Sequence, residues 1–375
     1  MNKNFFIYLM VLTVAISAGF IYYTSTQARQ AEPVERISVK WWNSGHADIS
    51  SQSFTNWNEN DPPEVPIGCA KCHSGRGFLD YLGQDGSDAM VVDNPAAIES
   101  VVSCMVCHNE GADALTSVPF PSGKTLDIGV GDALCATCHS GLSAGLAVNN
   151  ATGDYKDDEL VEGGRFVTPH YAFAAATWLG TEAQGGYEYA GKEYVGKFLH
   201  AAGVETCTQC HDPHSLRMQT GLTDKNVNLC AACHSNVTGF ADYRDIFVDG
   251  IDYDGDGEVM GLYHEIEGMR SVLMQAIQQY AKEEIGTAIG WADQFPYLFI
   301  DTDQDGTISS EEAVRANAYS AFTPRLMRAA FNYQFSKKDP AGYVHNGKYM
   351  LQLLYDAIQD ISSVTRFPTA ALQRP

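Results

Sequence analysis

Five copies of Cys-x-x-Cys-His limit what this chain can fold around. They read CAKCH (Cys69, Cys72, His73), CMVCH (Cys104, Cys107, His108), CATCH (Cys135, Cys138, His139), CTQCH (Cys207, Cys210, His211) and CAACH (Cys230, Cys233, His234), and they use all 10 cysteines of the 375 residues. Zinc usually takes Cys-x-x-Cys pairs two at a time, and five pairs leave one over. Disulfides in an oxidising compartment would use the cysteines and leave the histidines unexplained. Histidine is 11 of the 375 residues, so its arrival directly after all five pairs by chance is on the order of 10⁻⁸, and the imidazole has to be part of the chemistry. Cys-x-x-Cys-His is the attachment motif of c-type haem. Each thiol adds to one haem vinyl group, the two-residue spacer matches the separation of the vinyls, and the adjacent histidine becomes the proximal iron ligand.

On these motifs the chain resembles the multihaem c-type cytochromes, electron-transfer proteins of bacteria and archaea with closely spaced haems. The resemblance covers residues 46–234 and touches HNGKY near the C-terminus, where His345-Asn346 opens a helical pattern. It implies covalent haem attachment in an exported compartment, five haem c groups, and redox partner proteins that include other multihaem cytochromes.

Six histidines remain outside the motifs: His46, His170, His200, His214, His264 and His345. Five irons need five sixth ligands, so supply nearly matches demand. His264, in MGLYHEIEGM, reads as helix surface beside an acidic loop and is set aside. His46, His170, His200, His214 and His345 are then the expected distal ligands. Two imidazoles per iron leave no open position, which suits electron passage and not substrate binding. In CTQCHDPH, His214 follows His211 by three residues. It lies on the proximal side of its own haem, so it is expected to point away and ligate a neighbouring iron.

Two acidic loops follow. DTDQDGTISSEE places Asp301, Asp303 and Asp305 at positions one, three and five of an EF-hand loop, with Gly306 at the turn, the Thr307 carbonyl next and Glu312 as the closing bidentate carboxylate. DYDGDGEVMGLYHE begins equally well, with Asp252, Asp254, Asp256 and the Glu258 carbonyl, but has Tyr263 at position twelve; Glu265 comes two residues late. One calcium is expected at the second loop and a weaker or variant one at the first, serving as structural sites. Calcium at Asp301–Glu312 is expected to brace the segment that carries His345.

The remaining features set the frame. Residues 5–23 form an uncharged, largely apolar run after Lys3. Its length is about 28 Å as a helix, which leaves both a cleaved signal and an uncleaved membrane anchor open. Either way the chain is expected to be exported, to a periplasmic, cell-surface or extracellular location. The formal net charge of −22 offers no basic stripe for nucleic acid. The expected organisation is an export segment and linker (1–40), a pentahaem domain (41–240) and a helical EF-hand-like calcium domain that returns a haem ligand (241–375). The expected fold class is mainly α with extensive coil: a haem-packed domain followed by an all-α one. Ile266, Met269, Leu273, Ile277 and Tyr280 mark one amphipathic helix, Thr323-Pro324 the start of a second, and Met350, Leu351, Leu354, Ile358 and Ile361 the last. The expected function is electron transfer rather than catalysis. Two rivals stand beside it: a multihaem reductase of a small nitrogen or sulfur oxyanion with one open haem, and a subunit of a polymeric filament in which a histidine such as His46 crosses to the next subunit.

Overall fold

The stripe Ile266, Met269, Leu273, Ile277 and Tyr280 lies along a 19-residue helix, Leu262–Tyr280, and every member is buried. The computed structural model describes residues 32–200, 204–218, 231, 233–239 and 241–375. The apolar run 5–23 and Cys230 lie outside the described residues. Two further helices, Pro324–Lys338 and Gly342–Ile361, pack against the first. Thr323 caps its helix as its side chain accepts from the Leu326 N–H, with Pro324 at the first position, where the missing N–H has no helical partner to lose. Met350, Leu351, Leu354, Ile358 and Ile361 are all buried on the last helix.

One hydrophobic core runs from Phe78 to Ile361. It joins the motif-bearing segment, the cysteine-free insert 141–200 and the C-terminal helices, so no gap in the packing marks the sequence division at 240. Phe173 of the insert stacks on Phe335 at 4.3 Å between ring centres. Asn332, fully buried, accepts from the Tyr187 N–H at 2.7 Å and donates to the Tyr187 carbonyl at 2.9 Å. Arg325 reaches Asp158 at 2.6 Å and also pairs with Asp360, while Arg328 spans Asp157 and Asp360 at 2.8 and 2.9 Å. The insert backbone comes so close that a Cβ on Gly186 would sit 2.3 Å from the Leu353 side chain. Phe335→Ala removes the centre of this junction and is expected to destabilise the protein by about 3–5 kcal/mol, measurable by denaturant unfolding.

The motif-bearing segment holds short helices, coil and small ribbons. Antiparallel pairs join Glu64–Val65 to Ala96–Ala97 and Ser117–Pro119 to Thr125–Asp127. A third ribbon, Ile289–Trp291 with Leu298–Ile300, interrupts the C-terminal helices and corrects the all-α expectation there. Strands of three residues are too short for period-two alternation to register in sequence. Leu298–Ile300 of that ribbon runs directly into Asp301, so a strand enters the second acidic loop. No described helix is long and apolar enough to cross a membrane.

Candidate metal centres

Four of the motifs sit on a helical turn: Ile67–His73, Cys104–Cys107, Asp132–Cys138 and Cys207–Cys210. The turn puts both cysteines on one side and closes with the histidine N–H donating to the first cysteine's carbonyl, at 2.9 Å for His108, 3.0 Å for His139 and 2.8 Å for His211. A capping box of Thr206 and Gln209 starts the fourth turn. The described cysteines form no disulfide. Among the described residues, the groups of three or more metal-ligating donors gathered about one point are all carboxylates, so the cysteines make no zinc cluster there.

The motifs touch one another. Cys72 Sγ lies 4.0 Å from the Thr137 carbonyl and Cys138 Sγ lies 3.6 Å from the Lys71 carbonyl, so the first and third motifs meet reciprocally. Cys135 contacts Cys207, whose N–H donates to the buried Asp132 carboxylate at 2.9 Å. Cys107 lies close enough to Cys135 for their charges to interact. The third motif is therefore the neighbour of the first, second and fourth.

The histidines outside the motifs come to meet those within. Ring centres are 6.3 Å apart for His46 and His139, 5.9 Å for His73 and His170, 6.3 Å for His108 and His214, and 6.3 Å for His200 and His234. A metal–imidazole bond of about 2 Å and the roughly 1 Å from nitrogen to ring centre, taken on both sides, come to about 6 Å. Each pair could thus hold one iron between its two rings. The remaining motif histidine, His211, lies within electrostatic reach of His345, whose charge also bears on His139. His264 stays apart, bonded to Asp245 at 2.9 Å.

Electrostatics favour neutral, ligating imidazoles. Burial, followed by the nearby His46, His345 and His211, pushes His139 down to about 4. Burial likewise lowers His46, His170 and His211. His345 is the exception: burial opposes its charge, but the Asp339 carboxylate outweighs it and raises it. Three of these rings have a fixed orientation. His73 Nδ1 donates to the Ser53 carbonyl at 2.8 Å, His211 Nδ1 to the Leu216 carbonyl at 3.3 Å, and His345 Nδ1 to Asp339 at 2.9 Å. In each the Nε2 lone pair is left for a metal. None of these three partners is visible in the sequence as such; Asp339, six residues before His345 at a helix start, carries the one available signal.

The two acidic loops share one hydrogen-bond plan. Glu312 accepts from the N–H of Thr302 at 2.7 Å and Ser309 at 3.0 Å, positions two and nine of its loop. Glu265 accepts from Tyr253 and Met260, positions two and nine of the other, both at 2.8 Å. Gly306 and Gly257 donate to Asp301 and Asp252, each at 2.9 Å. Carboxylate oxygens converge within 4.8 Å for Asp301, Asp303 and Glu312 and for Asp252, Asp254 and Asp256. Asp305 and Asp256 accept from the N–H groups of Thr307 and Glu258, both at 2.8 Å. Burial and the adjoining Asp256, Glu265 and Asp252 push Asp254 up to about 6, a crowding that a cation would relieve. A third convergence, Asp80, Asp85 and Asp93, follows no loop pattern and was not expected.

The doubled CXXCH motif family model matches residues 200–239. The C-type polyheme cytochrome OmcC of Geobacter sulfurreducens is 26% identical over 380 residues, covering 84% of this chain and 45% of that protein. The C-type polyheme cytochrome OmcB of the same species is 26% identical over 322 residues, covering 78% of this chain and 37% of that one. The chain thus spans less than half the length of these curated relatives. No solved structure matches. The motifs, the family model and these relatives together support a multihaem c-type cytochrome with covalently bound haem c.

Proposed function

We propose that this multihaem c-type cytochrome carries electrons through five haems, each held between two histidines of the same chain. The carrying observation is that four motif histidines each face a non-motif histidine across 5.9–6.3 Å, the room one iron needs. The pairs are His73 with His170, His108 with His214, His139 with His46, His234 with His200 and, by proximity, His211 with His345. Cys69 and Cys72, Cys104 and Cys107, Cys135 and Cys138, Cys207 and Cys210, and Cys230 and Cys233 would form the thioethers. When bound, the haems supply one-electron ferric/ferrous chemistry.

The chain's part is to fix ligands, exclude water and hold the motifs in contact. Two imidazoles per site leave no position for a substrate, which favours conduction over the oxyanion-reductase reading. His46 lies against His139 of its own chain, so the filament reading, in which it crosses to a neighbour, draws no support from it. The third motif, in contact with the first and fourth and within electrostatic range of the second, would be the branch point of the electron path. The two acidic loops would hold structural calcium, through Asp301, Asp303, Asp305, Thr307 and Glu312 and through Asp252, Asp254, Asp256, Glu258 and Glu265. The setting would be periplasmic, cell-surface or extracellular, with basic redox proteins as partners of an acidic surface.

Haem counting by pyridine haemochrome, with electron paramagnetic resonance of the oxidised protein, tests this reading. Five haems per chain, all low-spin, are expected. Four or fewer in matured protein, or a large high-spin fraction, would overturn it.

A further inference from the structure

We infer that Asp339 is a positioning residue, acting through His345 to bias the haem on Cys207 and Cys210 toward its oxidised state. The inference rests on His345 being that haem's distal ligand, as proposed above. Asp339 ends the Pro324–Lys338 helix, and its side chain is only 3% exposed. Both carboxylate oxygens lie 2.9 Å from His345 Nδ1. His345 is the only ion-pair partner of Asp339 among the described residues.

The other two oriented rings differ in kind. His73 and His211 donate to backbone carbonyls, of Ser53 and Leu216, which are neutral acceptors. A carboxylate is a charged acceptor and takes a stronger hydrogen bond. It draws the Nδ1 proton toward itself, and the ring becomes a more basic donor at Nε2. A better donor favours the ferric ion over the ferrous. The carboxylate charge acts in the same direction, because in a poorly screened site it stabilises the extra positive charge of the oxidised centre. The geometry is locked from the far side. Asn346, next in sequence and buried, donates to the carbonyls of Gly196 at 3.0 Å and Trp178 at 3.3 Å and accepts from the Tyr349 N–H at 3.1 Å. Asn346 has extended, non-helical backbone (φ −168°, ψ 77°) and caps the turn that follows it, so these bonds fix the backbone on the C-terminal side of His345.

Asp339→Asn keeps the shape and an accepting oxygen but removes the charge. In a spectroelectrochemical titration of the holoprotein, one haem of five should become easier to reduce. Its ferric-to-ferrous ratio at fixed potential should fall at least tenfold, which is 59 mV for a one-electron couple. All five haems should stay low-spin, and Asp339→Glu, which restores a carboxylate, should return the potential toward the native value. His345→Ala identifies the affected haem as the one that turns high-spin. If His345→Ala turns no haem high-spin, the ligand assignment fails. If it does, and Asp339→Asn moves no potential or moves another haem's, the role of Asp339 alone is overturned. Should the Asn variant fold poorly, Asp339→Ser, smaller and uncharged, takes its place: the same haem made easier to reduce supports the inference, and an unmoved potential overturns it.

Discussion

Replacing His214 by alanine is expected to open the haem on Cys104 and Cys107 while the haem on Cys207 and Cys210, whose own ligand His211 is three residues away in sequence, stays six-coordinate. The local turn decides this. Asp212 accepts from the N–H of His214 at 3.1 Å and of Ser215 at 2.7 Å, and its other oxygen pairs with Lys40 at 2.9 Å. Burial works against the Asp212 charge, but those N–H donors and Lys40 outweigh it and hold the carboxyl down at about 2. The turn swings His214 away from His211 and sets its ring nearly parallel to His108, at 21° and 6.3 Å. Removing the imidazole leaves His108 as a single axial ligand and the iron high-spin or water-bound, in about one haem of five. The chain would still attach all five haems. Low-temperature electron paramagnetic resonance reads the change, and a cross with Cys104→Ser/Cys107→Ser, which deletes the affected haem, locates it. A high-spin signal that survives the cross would assign His214 elsewhere; unchanged spectra would remove its role.

What the sequence made legible was whatever is encoded locally. The five motifs are short, repeated and self-contained, so their residues could be named before any fold. The same holds for the buried stripe on Leu262–Tyr280 and the Thr323 cap, because helical period and capping chemistry are written within a few residues. The list of spare histidines was legible too; His264, set aside in it, bonds to Asp245. Which histidine faces which motif was not. His46 meets His139 and His170 meets His73 through tertiary packing, and no spacing rule connects such distant positions. Asp339 was legible only as an acidic residue six positions before His345; that its carboxylate meets the ring depends on how the two helix ends pack. The acidic loops were half legible. The Asp positions and the turn glycines could be read, whereas the frame around them, a β ribbon before Asp301, depended on strands too short to announce themselves.

Calcium removal is expected to melt the C-terminal helices at lower temperature and to open one haem, and the loop responsible should be the one closed by Glu265. By sequence alone, Asp301–Glu312 is the expected brace of His345. The structure puts that loop against the far part of the Leu262–Tyr280 helix, where Gln278 donates to the Gly306 carbonyl at 2.8 Å. Glu265 instead sits on the first turn of that helix, which absorbs the two extra residues and delivers the buried carboxylate to the Tyr253 and Met260 N–H groups. On the same turn, Tyr263 meets Tyr343 edge to face at 5.3 Å, and Leu262 packs so closely that a Cβ on Gly347 would lie 2.3 Å from it. Tyr343 and Gly347 flank His345 on either side. Without a cation, Asp252, Asp254 and Asp256 hold carboxylate oxygens within 4.8 Å of one another. Two like charges 4 Å apart repel by roughly 4 kcal/mol at an effective dielectric of about 20, enough to loosen the loop and the helix start it anchors. A loss of about 2–3 kcal/mol should lower Tm by roughly 5 °C or more. Chelation, or Glu265→Gln, should therefore lower Tm and render about one haem in five high-spin, with the same signature as His345→Ala. Glu312→Gln should lower Tm with all haems still low-spin. Calorimetry and electron paramagnetic resonance on the same samples decide it: a high-spin haem in Glu312→Gln but not in Glu265→Gln reverses the assignment, and melting with every haem low-spin in both leaves the loops a role in stability alone.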